Sequence, residues 1–273
     1  MQISRSFKSV FFIMLAAAPL FFTSCQRDGM KAKEYILSDD DKGFGSDHAL
    51  MEFLNEDVET IADMAMNSSN ASINGCQPLI THDTTNKKLT IDFGAECKDA
   101  ANLVRKGKII INYTRQYWDS GSVRTIKFDD YYYNGNRMVG YKMIENRGKN
   151  SSGYTWFSIT MADTLHLAGA GGKIYWYSER ERIWLNGFNT PTNFLDDDYH
   201  VNGSGSLKRA NDHYCDFNIM STLLVSTDCR FIKEGIIRIV PRDGFARIFD
   251  YGNGECDDDA TIEINGVKYE TKL

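Results

Sequence analysis

Only four of the 273 residues are proline, so little in this chain forces a strand to stop, and long uninterrupted strands are permitted. Long hydrophobic runs are lacking too. The apolar stretch from Val10 to Phe22 is too short to cross a bilayer as a stable helix, which excludes a helical membrane span there. Basic runs are absent, and 31 Lys and Arg face 37 Asp and Glu. Such a chain has no electrostatic pull on phosphate backbones or anionic headgroups, so nucleic acid is excluded as a partner. The five histidines are scattered at 48, 82, 166, 200 and 213, with no HExxH spacing, and the cysteines form no CxxC. There is no GxSxG elbow and no Walker loop. "NGSGSLK" at 202 to 208 lacks the GK[ST] ending and reads as a hairpin turn. These absences leave no catalytic residue, metal ligand or cofactor to assign.

What is present begins at the N-terminus. Residues 1 to 24 carry Arg5 and Lys8, no acid, the apolar run and then small residues, the pattern of a signal peptide. Their removal takes the net charge from −6 to −8. The ending "LFFTSC" resembles the lipobox of bacterial lipoproteins, in which the cysteine is acylated and becomes the mature N-terminus. Cys25 is the residue that fits, and Phe22 departs from the small aliphatic residue usual at its position. The following "QRDG" resembles the short signal that sends lipoproteins of the Bacteroidetes to the cell surface. Plural acyl chains would give stable anchorage in the outer membrane, at about 0.8 kcal/mol per buried methylene.

Residues 25 to 45, with "SDDDKGFGSD", show no apolar periodicity and read as a lipidated cysteine followed by a flexible tether. Helical spacing of Leu50, Phe53, Leu54, Val58, Ile61, Ala62 and Ala65 predicts one amphipathic helix near 47 to 66, capped by Ser46 or Asp47. From residue 76 onward, short β-branched or alternating runs recur, cut by Gly, Asn or Asp. That texture predicts an antiparallel all-β body, and Asn134-Gly135 and Asn265-Gly266 signal tight two-residue hairpins. The expected fold is all-β with one N-terminal helix, an antiparallel meander forming a sandwich or partly open barrel. A single domain over 46 to 273 accommodates it, with the helix laid across one end or edge.

Assigning Cys25 to lipid leaves five cysteines for an oxidising compartment. Cys76 and Cys97 bracket a segment centred on the turn-like "TTNKK", and Cys229 and Cys256 one centred on "PRDG". Residues equidistant from a hairpin turn face each other at disulfide distance. Of the three pairings available, this geometry favours Cys76–Cys97 and Cys229–Cys256; the two crossed pairings stay open. Cys215, within "HYCDFNIM", reads as a small buried hydrophobe.

The segments "KLTIDFGAEC", "RKGKIIINYT", "FDDYYYNGNRMVG" and "FDYGNGECDDDATIEINGVKY" resemble a β-rich lipoprotein family of the Bacteroidetes over roughly residues 76 to 273. The resemblance implies an exported, lipid-anchored β protein and brings no activity with it. In that context Asp83-Thr84-Thr85 and Asp163-Thr164-Leu165 look like acceptor triplets for O-glycosylation, making Thr84 and Thr164 candidate modified positions.

Acid clusters at Asp39 to Asp41, Asp196 to Asp198 and Asp257 to Asp259 match no EF-hand spacing and read as solvated loop acids. The remaining candidates are aromatic. A row of exposed rings could stack on sugars, and Trp118, Trp156 and Trp176 are the candidate stacking residues. "YYY" and "YWY" place neighbours on opposite faces of a strand, so about half of such rings point inward. The expectation is a lipid-anchored envelope protein, on the cell surface or the periplasmic face. Its role would be non-catalytic binding of a glycan or apolar ligand. The alternatives are a structural or adhesive component that contacts another envelope protein, and a hydrolase. Each demands its own geometry: a concave site with convergent aromatics, an unpaired edge strand, or two carboxylates facing one cleft.

Overall fold

From residue 79 onward, side chains alternate between inside and outside at the period of a β-strand. The alternation is most regular along Thr155–His166, where every second residue is buried. The computed structural model describes residues 39–169, 171–190, 193, 195–209, 212–242 and 244–273, which fall in one unit, Leu37–Leu273. The expected leader, Cys25 and the tether as far as residue 38 lie outside the described residues.

One helix, α1 (Asp39–Asn67), precedes fourteen strands among the described residues: β1 (Leu79–Asp83), β2 (Lys88–Asp92), β3 (Cys97–Lys98), β4 (Val104–Tyr113), β5 (Val123–Tyr133), β6 (Asn136–Lys149) and β7 (Thr155–His166), then β8 (Lys173–Asn186), β9 (Asp198–Arg209), β10 (Tyr214–Ser226), β11 (Glu234–Pro241), β12 (Arg247–Asn253), β13 (Asp259–Ile264) and β14 (Val267–Lys272). Apart from the two-residue β3, which pairs with β4, they form one antiparallel sheet in chain order from β1 to β14. The sheet is a meander and is not closed, as expected for a sandwich or open barrel. Both Asn-Gly steps make the expected tight turns. Asn134 and Gly135 have φ of 49° and 80°, Asn265 and Gly266 of 52° and 80°, and they join Tyr133 opposite Asn136 and Ile264 opposite Val267.

The helix departs from expectation in start and position. It begins at Asp39, so 39 to 45 are helix instead of tether, and Ser46 and Asp47 lie within it instead of capping it. Gly43 and Gly45 disfavour helix locally, by about 1 kcal/mol each relative to alanine, which is why a sequence reading stops short of them. Packing overrides this cost: a Cβ on Gly45 would overlap the Phe249 ring of β12, and one on Gly43 would overlap the Arg209 guanidinium of β9. Nor does α1 lie across an edge. None of its residues from Asp41 to Met66 is exposed, and its side chains reach strands from β4 to β12. The sheet therefore curls around the helix, whose Met51, Leu54, Val58, Ile61 and Ala62 form the core with Leu89, Ile109, Ile126, Ile237 and Phe249.

Two disulfides close this unit, Cys76–Cys97 and Cys229–Cys256, with Cα atoms 5.5 Å and 5.8 Å apart. Each lies just beyond the open end of a hairpin, past Leu79 opposite Asp92 in one and past Glu234 opposite Asn253 in the other. The turn-centred pairing holds although the cysteines lie three to five residues beyond the last ladder pair of their hairpins. Replacing either pair by serine should cost about 3 kcal/mol, the loop-closure entropy of twenty-odd residues. Urea unfolding of each double variant measures it; an unchanged midpoint would show that the cysteines constrain nothing. Cys215 is free and buried, and burial pushes its thiol up to about 12, which fits a packing residue.

Candidate functional site

The charges on α1 are spent inside the protein. Seven helix acids meet seven cations from the inner face of the sheet. Asp41 pairs with Arg247 and Asp47 with Arg209, each at 2.5 Å; Asp57 pairs with Arg105 at 2.7 Å. Glu52 pairs with Arg180 and Asp63 with Arg124. Glu56 lies 3.5 Å from Arg182. Glu59 takes both Arg182 and Lys142, the latter at 2.5 Å, and accepts a hydrogen bond from the Tyr117 hydroxyl at 3.0 Å. Burial alone would raise the Glu59 carboxyl, yet Arg182 and Lys142 hold it well below the usual carboxylate range. His48 sits among Trp176, Phe217 and Tyr251, whose hydroxyl is 3.0 Å from Nδ1. Burial pushes this histidine down to about 3, leaving it neutral. This ladder holds the helix in place and leaves no charge over for a ligand.

The three tryptophans expected to stack part company. Trp176 is 2% exposed and stacks on Phe217 at 4.7 Å between centroids, so it is a core residue and cannot meet a sugar. The period of two explains this: in "YWYSERERIW" the parity that sends Trp176 inward takes Arg180, Arg182 and Trp184 with it, while Tyr175 and Tyr177 face out. Trp156 is half-buried, with the Arg147 guanidinium 5.8 Å from its ring. Trp118 is 49% exposed. Thr84 lies in the exposed β1–β2 turn. Thr164 is half-buried on the outer face of β7, and Asp163 of its triplet is buried against the helix, so that triplet is not presented as a unit. Two of the acid clusters differ from the expected solvated loops, because Asp41 and Asp197 are buried, whereas Asp257 to Asp259 face solvent as expected, with Asp258 and Asp259 beside the exposed Lys272. Among the described residues no His, Cys, Asp and Glu cluster is suited to a metal ion.

Trp118 stands at a concave feature that gathers aromatic and polar side chains together. It is a mouth with a cavity of about 40 Å³ where the C-terminal turn of α1 meets two loops. The helix contributes Asp63 and Asn67, the β4–β5 loop Gln116, Tyr117 and Trp118, and the segment from the end of β8 to β9 Trp184, Thr190 and Asp197. Tyr117 is stacked on Phe157 at 4.9 Å between centroids, and the Arg124 guanidinium lies 4.2 Å from the centre of its ring. Asp63 is committed to Arg124. Asp197 accepts from Trp184 Nε1 and from the Tyr199 hydroxyl, each at 3.1 Å. Burial pushes its carboxyl up to about 6 against the pull of those two bonds. The walls are thus aromatic and rigid, and the rim carries exposed hydrogen-bonding groups on Asn67, Gln116 and Thr190. Of the three tryptophans expected to stack, only Trp118 belongs here. Asp63, Asn67, Gln116, Thr190 and Asp197 come from three distant stretches, and only the curl of the sheet brings them together.

No family model matches the chain, and no curated protein sequence or solved structure does either.

Proposed function

We propose that this chain is a lipid-anchored envelope protein, held in the outer membrane through an acylated Cys25, that serves as a non-catalytic glycan-binding module. Its ligand would be seated in the mouth at the C-terminal end of α1. The observation that carries this reading is Trp118, an exposed ring standing over a preformed concavity whose rim offers amide and hydroxyl groups. A sugar needs both, an aromatic face for its C–H surface and convergent polar groups for its hydroxyls. The two disulfides support export to an oxidising compartment.

Two carboxylates in one cleft also meet the geometric demand of a hydrolase, but both are engaged. Asp63 is held by Arg124, and Asp197 by Trp184 and Tyr199, which favours binding over turnover. An envelope component contacting another protein draws support from β1, which ends the sheet among the described residues and where Leu79 is 69% exposed.

The test is a glycan array probed with the full-length protein in detergent, disulfides intact. A glycan class that binds the wild type should bind Trp118→Ala about tenfold more weakly, the worth of one stacking contact, and Trp156→Ala with unchanged affinity. Equal binding by all three would remove the mouth from the reading. Release of reducing sugar from a bound glycan would transfer it to the hydrolase class.

A further inference from the structure

Resting on the glycan reading, we infer that the sugar unit held in the mouth carries a positively charged amino group, which enters the cavity while its ring stays outside against Trp118. Size sets the division. A cavity of about 40 Å³ accepts a substituent of ammonium size with a water or two, since one water needs roughly 10–15 Å³ on this measure, and it is too small for a ring.

Charge sets the chemistry. The mouth has two carboxylates and one cation, and that cation, Arg124, is bound to Asp63. Asp197 is 4% exposed and has only neutral donors, Trp184 Nε1 and the Tyr199 hydroxyl. Among the described residues no Lys or Arg pairs with it. The groups around it do not supply a countercharge. Asp196 and Asp198 flank it, the first accepting from Thr190, the second from Ser226 and Asn186. From the helix comes Asp63 with its Arg124. Arg182 of β8, whose guanidinium lies 4.3 Å from the Tyr199 ring, is taken up by Glu56 and Glu59. The last turn of α1 adds to this imbalance, because a helix C-terminus carries partial negative charge and this one has no basic residue in its final turn. A buried carboxylate lacking a cation, in a cavity lined by Trp184 and Trp118, is an environment that attracts an ammonium by charge.

The experiment compares a glucosamine tetramer bearing free amines with its fully N-acetylated counterpart, by calorimetry on the full-length protein in detergent at pH 7. The free-amine tetramer should bind at least tenfold more tightly. In Asp197→Asn the preference for the free-amine tetramer should vanish. Equal or tighter binding of the acetylated form by the wild type overturns the inference and leaves the glycan reading standing. A wild type that binds neither tetramer also overturns the inference; the glycan reading then falls only if the array is blank as well. The wild-type comparison needs no variant, so a folding defect in Asp197→Asn does not blunt it.

Discussion

Replacing Glu59 by leucine is expected to cost about 3–5 kcal/mol of folding stability, because in the core it leaves Lys142 without its carboxylate partner and Arg182 with only Glu56, at 3.5 Å. Glu59 is 1% exposed, Arg182 1% and Lys142 2%. The Tyr117 hydroxyl, which donates to Glu59 and accepts from Arg182 Nη2, loses its acceptor as well. Urea unfolding monitored by tryptophan fluorescence gives the number. A triple variant that adds Lys142→Met and Arg182→Met removes both cations together with Glu59, leaving Glu56, whose carboxyl burial pushes up to about 7, without its arginine. It should recover most of the loss, since apolar residues of similar volume replace a buried ion pair at little cost. A loss below about 1 kcal/mol in Glu59→Leu would show that the helix is held by its apolar contacts alone.

The ladder also marks where the sequence stops being legible. The strands, the Asn-Gly turns and both disulfides are local facts, written in alternation and in residues equidistant from turns, and each can be read within about 30 residues. The helix was legible from Leu50 to Ala65, where apolar spacing is regular. Its first two turns were not, because Gly43 and Gly45 make sense only against Phe249 and Arg209, some 165 to 205 residues away. The acids of α1 look like the polar face of a surface helix, and nothing near them in sequence announces Arg105, Arg124, Arg180 or Arg247. Those arginines occupy inward positions of their strands, yet an arginine at an inward position is indistinguishable from a register error until its partner is known. The same difficulty hid the mouth. The alternation rule shows that one residue of "YWY" must differ from its neighbours in facing, but it cannot say which parity is inward, so nothing local shows that Trp176 and Trp184, which share a parity, both face in.

Asp163→Asn is expected to stabilise the protein at pH 8 by up to about 4 kcal/mol while changing little near pH 4. Asp163 lies on the inner face of β7, 3% exposed, beside Asn55 and Lys142. Burial pushes its carboxyl from 3.8 up to about 7, with Asn55 and Lys142 pulling against that rise. Between those two values the folded protein holds a proton that the unfolded chain has released, so stability declines as pH rises from about 4 to about 7 and is flat above. The span of about three pH units at 1.36 kcal/mol each gives the quoted magnitude. Other carboxyls shape the full profile. Burial pushes Glu56 up to about 7 and Asp197 up to about 6, which slopes the same way. Glu59 and Glu52 are held low by their cations and cost stability only as pH falls below the ordinary carboxylate range. These groups are common to both proteins, so the difference between variant and wild type in urea midpoints at pH 4.5, 6 and 8 isolates Asp163. Parallel profiles would mean that Asp163 is ionised in the fold at neutral pH and that Lys142 shares its charge between Glu59 and Asp163. A widening gap would mean that the inner face of the sheet keeps one carboxylic acid neutral beside seven helix carboxyls that face cations. The physical reason would then be that Lys142 is already given to Glu59, and no second cation reaches β7.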